Sequence, residues 1–479
     1  MLRINNYILF AVLIIILYSC APSSKTTTDQ KGSHGTIEAY FNKSVYADLA
    51  LPGNKANGDV NLEDKLIELI SSANSTIDIA AYEINLPRLI DILISVAAKD
   101  VQIRLVIDAK SESGSEDDNS FSRYDLMRLN LEKMNRGLDG ILNTNDDITI
   151  IADSPIFAVE DSSDRAKFNL PPSPKDYKHV SLTVGRIPTE GFLLADAERK
   201  DSFRKIYFSA GLQMHNKFVI IDTSTVFTGS WNYTVTGLYG SDEDMAAGNL
   251  NGNQQHSVVI TNKDVAEIYL DQFETMWGGN DRLPDPSNSK FHTHKPKGTV
   301  KTVYVDSIRV DILFSPSDNV MDYITSTVNN EADQSIFFTI FSFSHQPLAD
   351  VMKYKWEGSI EDKKGSETGF GIRGVFDGGF WNQWWSASTD MTGRTTSKTS
   401  KNNPNTRWNN PAPVYSARET RKLHSKTMVI DLDMVIIGSA NWSANAADKN
   451  DENTLVIYDK KIANQFYQEM FARYRSATN

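Results

Sequence analysis

The chain has 479 residues, 40% of them hydrophobic and 23% charged, an ordinary globular balance with room for two or three domain-sized units. Its one cysteine excludes an internal disulfide. A formal net charge of -12 argues against the broad basic footprint of a generic nucleic-acid binder, while leaving room for a local basic groove.

In chain order, the first segment reads MLRINNYILFAVLIIILYSC. Arg3 gives a weakly positive start, and Tyr7 to Tyr18 is an apolar run too short for a comfortable membrane span. Leu17-Tyr18-Ser19-Cys20 resembles the lipobox of bacterial lipoproteins. That resemblance implies a signal peptide over residues 1–19, cleavage before Cys20 and lipidation of its thiol. With no Asp after Cys20, it implies a lipid-anchored protein of the bacterial cell envelope, at the outer membrane. A plain secretory signal or an uncleaved anchor is the alternative. Residues 20–35, rich in Ser, Thr and Lys, read as a flexible tether.

From residue 36 the chain runs through the same order of elements twice. Asn61 caps a helix with apolar residues at Leu62, Leu66, Leu69 and Ile70. Thr76 to Tyr82 (TIDIAAY) reads as a strand, Leu86-Pro87 opens a helix through Ala98, and Val101 to Asp108 reads as a second strand. The later copy offers a helix from Ser317, a strand Ser335 to Phe341 (SIFFTIF), a helix from Gln346-Pro347 and a strand Gly371 to Asp377. Each copy ends in a helix, VAEIYLDQFETMW or KIANQFYQEMFARY. The β-α-β order predicts α/β units with mixed or parallel sheets under helices. The expected organisation is a first unit over 36–277, a Gly/Pro/Asn/Asp-rich linker over 278–300 and a second unit over 301–479.

An insertion at about 111–191 has few regular signals. Within it Asp139, Asn143, Asn145, Asp146 and Asp147 offer oxygen ligands dense enough for Ca²⁺, though not at EF-hand spacing; a solvated acidic loop is the plainer expectation. In the linker, His292 and His294 form an HxH pair with no carboxylate or cysteine beside it in sequence.

The chemistry is concentrated in HNKFVIIDTSTVFTGSWN and HSKTMVIDLDMVIIGSAN, which align without a gap. His215 matches His424, Lys217 matches Lys426, Asp222 matches Asp431, Ser230 matches Ser439 and Asn232 matches Asn441. On a strand, His and Lys two residues apart share a face, while Asp falls on the other and ties down local structure. Two imidazoles, two ammonium groups, two hydroxyls and two amides suit a phosphodiester. Lysines balance its charge, one neutral His attacks phosphorus, and the other, protonated, serves the leaving oxygen. Such a scheme requires neither a metal nor another cofactor.

The pattern HxKxxxxDxxxxxxGSxN, present twice, resembles the phospholipase D superfamily, with similarity from about Ile37 to the C-terminus. The resemblance implies two pseudo-symmetric α-β-α sandwich domains with one active site at their interface. It implies a phosphohistidine intermediate, with His215 as nucleophile and His424 as acid/base. The catalytic set is then His215, Lys217, Asp222, His424, Lys426 and Asp431, with Ser230, Asn232, Ser439 and Asn441 binding substrate. The family also places an acidic residue downstream to orient a histidine. Glu452 fits that role for His424, whereas Gln255 stands at the first unit's matching place. A carboxylate would then keep His424 protonated and an amide leave His215 neutral.

The motif identifies the phosphate and says little of its substituents. A phospholipid substrate agrees with the expected membrane tether through Cys20 and the acidic charge. Trp381, Trp384 and Trp385 could touch acyl chains, stack bases or fill the core. Basic segments at Lys398 to Arg407 and Arg418 to Lys422 keep a nuclease as the alternative. A non-catalytic surface binding protein is the third class. With both motifs in one chain, a monomer suffices for a complete site.

Overall fold

The computed structural model describes residues 32–108, 123–184, 187–195, 197, 212–358, 369–394 and 407–479. Cys20, most of the expected tether and the basic residues Lys398 and Lys401 lie outside the described residues. Among those described, no helix is long and apolar enough to cross a membrane.

The first repeat runs β1 (Thr36–Phe41), α1 (Leu62–Ser71), β2 (Thr76–Ala81), α2 (Pro87–Ala97) and β3 (Gln102–Ile107). Asn61 accepts from the N–H groups of Glu63 and Asp64, as its N-cap position requires. The insertion supplies α3 (Arg123–Asn135), β4 (Thr149–Ala152), β5 (Ile156–Phe157), α4 (Ser162–Lys167), β6 (Lys178–Val184) and β7 (Ile187–Ala195). It is therefore more regular than its composition suggests. Met127, Leu129, Leu131 and Met134 of α3 are all buried, so the helix shows no single apolar stripe to read. The motif follows as β8 (Lys217–Ile221) and β9 (Thr225–Gly229), then the short helices α5 (Val235–Leu238) and α6 (Asp242–Ala247), β10 (His256–Thr261) and α7 (Lys263–Trp277).

The second repeat begins with β11 (Lys301–Val305) and β12 (Ile308–Ser315). It continues through α8 (Val320–Glu331), β13 (Ser335–Ile340), α9 (Gln346–Glu357), β14 (Gly371–Phe376), α10 (Ala387–Met391) and β15 (Val414–Ser416). It closes with β16 (Lys426–Ile430), β17 (Met434–Gly438), α11 (Ala444–Asp448), β18 (Glu452–Tyr458) and α12 (Lys460–Thr478). The two large sheets superpose in order: β1-β10-β9-β8-β2-β3-β4 against β12-β18-β17-β16-β13-β14-β15, with β11 added at one edge. In each, the two β-α-β steps are parallel and the motif hairpin is antiparallel, giving a mixed α/β sheet.

The sheets share one core. Phe218, Tyr269, Phe273 and Trp277 from the first repeat cluster with Phe314, Leu455, Phe466 and Met470 from the second. Helix α12 lies against β1 of the first sheet as well as β13, β14, β16 and β17 of its own. Phe41 meets Phe466 edge to face at 4.9 Å. Two glycines make the motif hairpins fit. A Cβ on Gly229 would stand 2.3 Å from the His256 carbonyl oxygen, and one on Gly438 would stand 2.2 Å from that of Asn453. Only glycine lets these strands turn so close to β10 and β18.

Candidate active site

His215 and His424 occupy the entries to β8 and β16, just ahead of the regular strands. Their backbones are not held by their own repeats. His215 N donates to Asp451 O at 2.8 Å, and Asp451 N donates to Gln213 O at 2.8 Å. In the symmetric bridge, His424 N donates to Gln254 O at 3.0 Å and Gln254 N to Lys422 O at 2.9 Å. Each motif entry is thus stitched to the last strand of the opposite half.

That crossing brings residue 452 to His215 and residue 255 to His424. His215 Nδ1 lies 2.7 Å from Glu452 Oε2. His424 Nδ1 lies 3.0 Å from both Gln255 Oε1 and the Ser230 carbonyl oxygen. The expected pairing, Glu452 with His424, is therefore corrected: the carboxylate serves the first-half histidine and the amide the second. All three partners accept hydrogen bonds, so Nδ1 carries the proton on each ring and Nε2 is the reacting nitrogen.

The serines also differ from expectation. Ser439 Oγ donates to Glu452 Oε2 at 2.7 Å and accepts from Asn453 N at 3.0 Å. Ser230 Oγ donates to Gln255 Oε1 at 3.0 Å and accepts from His256 N at 3.1 Å. Both hydroxyls are fully buried, and they fix the residue that orients the opposite histidine instead of facing a substrate. Asn232 and Asn441 keep symmetric positions, and each has a buried amide oxygen with no hydrogen-bond partner.

Asp222 and Asp431 stand at the far ends of β8 and β16, away from the rings. Asp222 accepts from the N–H groups of Asn74, Ser75 and Thr76 and from the Ser75 hydroxyl. Burial opposes its charge, but these donors hold it down to about 2. Asp431 accepts from the N–H groups of Asp333, Gln334 and Ser335. Both residues also open left-handed turns, with φ of 50° at Asp222 and 53° at Asp431. The aspartates therefore lock the hairpin to the start of β2 or β13 and have no contact with the reacting groups, although the motif places them in the catalytic set.

The lysines are wholly inside. Lys217 is 0% and Lys426 1% exposed. Each ammonium donates to its own histidine's carbonyl, Lys217 Nζ to His215 O at 2.7 Å and Lys426 Nζ to His424 O at 2.6 Å. Burial and the repulsion of Lys217 push Lys426 well below its ordinary value, only partly offset by Glu452 and Asp377. Burial, Lys426, Lys217 and His215 likewise hold His424 well below the usual imidazole range. Burial raises Glu452 to about 7, against the pull of Lys217.

Two sets of residues at the site were not singled out in the sequence. Tyr82 and Phe341, which follow β2 and β13, lie 4.6 Å and 4.9 Å from the rings of His215 and His424. Lys217 and Lys426 each stand 5.0 Å from the centroid of the corresponding aromatic ring. Aligning TIDIAAY with SIFFTIF would have revealed the pair. Asp108 and Asp377 accept from Met214 N at 2.9 Å and Leu423 N at 2.8 Å, which fixes the residue before each histidine.

His292, half of the HxH pair in the linker, has carboxylate neighbours that its sequence surroundings lack. Its ring reaches Asp451 at 3.0 Å and Asp153 at 3.4 Å, and Lys295 reaches Asp451 at 2.9 Å. Burial opposes protonation, but Asp451 and Asp153 raise His292 to about 10. The linker thus threads an ion network beneath residue 452. In the insertion, oxygens of Asp139, Asp146 and Asp147 lie within 4.8 Å of one another. Asp146 and Asp147 are bound by N–H groups of their own loop, and Asn145 Oδ1 accepts from Arg282.

A family model described as "Cardiolipin synthase, PLD-like domain" matches residues 66–154, 197–277 and 327–474, well over half of the chain. Over 50 residues the chain is 40% identical to a Rickettsia prowazekii (strain Madrid E) protein named phospholipase D, covering 10% of this chain and 24% of that protein. The match therefore spans about a quarter of that relative. Among solved structures, phosphatidylserine synthase of Haemophilus influenzae Rd KW20 aligns over 94% of this chain and 91% of its own at 12% identity and a TM-score of 0.49. Nuc of Salmonella typhimurium, a phospholipase D family member, aligns over 35% of this chain and 95% of its own at 20% identity and a TM-score of 0.28. With two HxK motifs meeting across one interface and the family model spanning both repeats, the chain belongs to the phospholipase D superfamily.

Proposed function

We propose that the chain is a phospholipid phosphodiesterase working through a phosphohistidine, without a metal in the reaction. The observation that carries this reading is the burial of Lys217 and Lys426 close enough to depress Lys426. A phosphate anion between them relieves that repulsion, and in a dry site its attraction to both is strong. The amides of Asn232 and Asn441 would present their NH₂ ends to the non-bridging oxygens.

His215 Nε2 attacks phosphorus and the bond to the leaving oxygen breaks. Its electron pair takes a proton from the His424 imidazolium. His424 then removes a proton from water, whose oxygen displaces His215 and regenerates the enzyme. Glu452 supports this assignment: the phosphorylated ring is cationic, and the carboxylate compensates it. His424 lacks such a partner and gives up a proton readily. The substrate's negative charge offsets the lysines that otherwise keep this ring neutral.

Lipid over nucleic acid is supported by the net acidity of the chain and by the lipobox-like segment at Cys20. The test is purified protein with mixed phospholipid vesicles and with single-stranded DNA, each with and without chelator. Head-group release that survives chelator and vanishes in His215→Ala is expected. Cleavage of DNA alone would replace the lipid reading with a nuclease, and no turnover of either substrate would leave only a binding protein.

A further inference from the structure

Beyond this reading, and resting on its assignment of His424 to the leaving oxygen, we propose that Phe341, Phe380, Trp385 and Lys422 form the subsite for the departing head group. We further propose that this subsite accepts an uncharged or anionic hydroxylated alcohol and rejects a quaternary ammonium.

The argument begins with in-line displacement. If His215 attacks from one side of phosphorus, the departing oxygen lies on the other, beside His424. Whatever flanks His424 therefore meets the head group. Phe341 flanks it at 4.9 Å. Phe380 meets Phe341 edge on at 4.7 Å, and Trp385 meets Phe380 at 5.6 Å. Phe341, Phe380 and Trp385 are half-buried, so an aromatic path runs from the histidine toward solvent.

An aromatic wall alone would suit a choline, because the faces of such rings attract cations. Here the ring nearest the histidine is already claimed. Lys426 lies 5.0 Å and Lys422 5.6 Å from the Phe341 centroid. The neighbouring carboxylate, Asp377, is buried and accepts from Gly379 N and Leu423 N. A third cation here would be repelled by buried Lys426 and by exposed Lys422, which share that ring. Glycerol, or glycerol carrying a second phosphate, faces no such repulsion. It can lay its C–H groups on the rings and its hydroxyls or phosphate against exposed Lys422.

The test uses dihexanoyl phosphatidylglycerol and dihexanoyl phosphatidylcholine below their micelle concentrations, so that no lipid surface contributes its own charge. Wild-type kcat/KM is expected to favour the glycerol head group by about tenfold or more. Lys422→Glu should narrow or invert that ratio, and Trp385→Ala should raise KM for the glycerol lipid more than it lowers kcat. Equal use of both lipids by the wild type, or an unchanged ratio in folded Lys422→Glu, would overturn the subsite. Failure to cleave either lipid would instead overturn the phospholipid reading, and the subsite with it.

Discussion

Glu452 is poised between stability and reactivity. Its folded value of about 7 lies above the ordinary 4.5, so burial favours the neutral acid. Its contribution to stability is therefore present at low pH and lost as pH rises through about 7. Glu452→Gln keeps an oxygen for Ser439 and His215 and removes the charge. We expect it to raise Tm at pH 8 relative to wild type, with little gain at pH 5, in a thermal melt at both values. The same change should cost about 100-fold or more in kcat, because the phosphorylated His215 loses its counter-charge. Gln255 governs the opposite ring. His424 is held well below the usual imidazole range, so the alkaline limb of kcat/KM should lie on the acid side of that range. Gln255→Glu, by placing a carboxylate beside the ring, should move the limb to higher pH. A limb at neutral pH that the substitution leaves in place would remove Gln255 from this role.

At the scale of elements, the linker does more than connect. Its turn at His292–His294 puts an imidazolium between Asp451 and Asp153, with Lys295 on the far side of Asp451. His292 rises from 6.5 to about 10, so the stability it supplies is full below about pH 6.5 and lost as pH rises through about 10. His292→Gln should cost roughly 3 kcal/mol at pH 7, the usual penalty for stripping a buried ion of its partner. It should also flatten the alkaline decline in a series of denaturant melts. This network explains what could and could not be read from the chain. The helix behind Asn61, the strands from Thr76 and Ser335 and the doubled HxK motif were legible because each is a local pattern. The link from His215 to Glu452 joins residues 237 positions apart. Only the crossing of one half's strand onto the other creates it. Helix α3 was hidden for another reason: burial around most of its circumference erases the one-sided stripe on which such readings depend.

For the whole molecule, the shared core of the two sheets makes the pair a single working unit, and one chain carries every residue assigned to the reaction. We propose that Cys20 ties this unit to a membrane by its lipidated thiol. Cys20→Ser should then shift the protein from the membrane pellet to the soluble fraction of fractionated cells, while the activity of the purified protein stays intact. A wild type that is soluble from the outset would end the anchoring proposal.

The reciprocal stitching of the halves also bears on when the site becomes complete. His215 emerges early in synthesis, but the carboxylate it leans on lies in the last strand, and His424 waits for an amide made long before it. A polypeptide that has not yet paired the two halves thus has a His215 without its orienting carboxylate. On the reading proposed above, a complete site would form only when the strand carrying Glu452 has been made and both repeats have closed on each other.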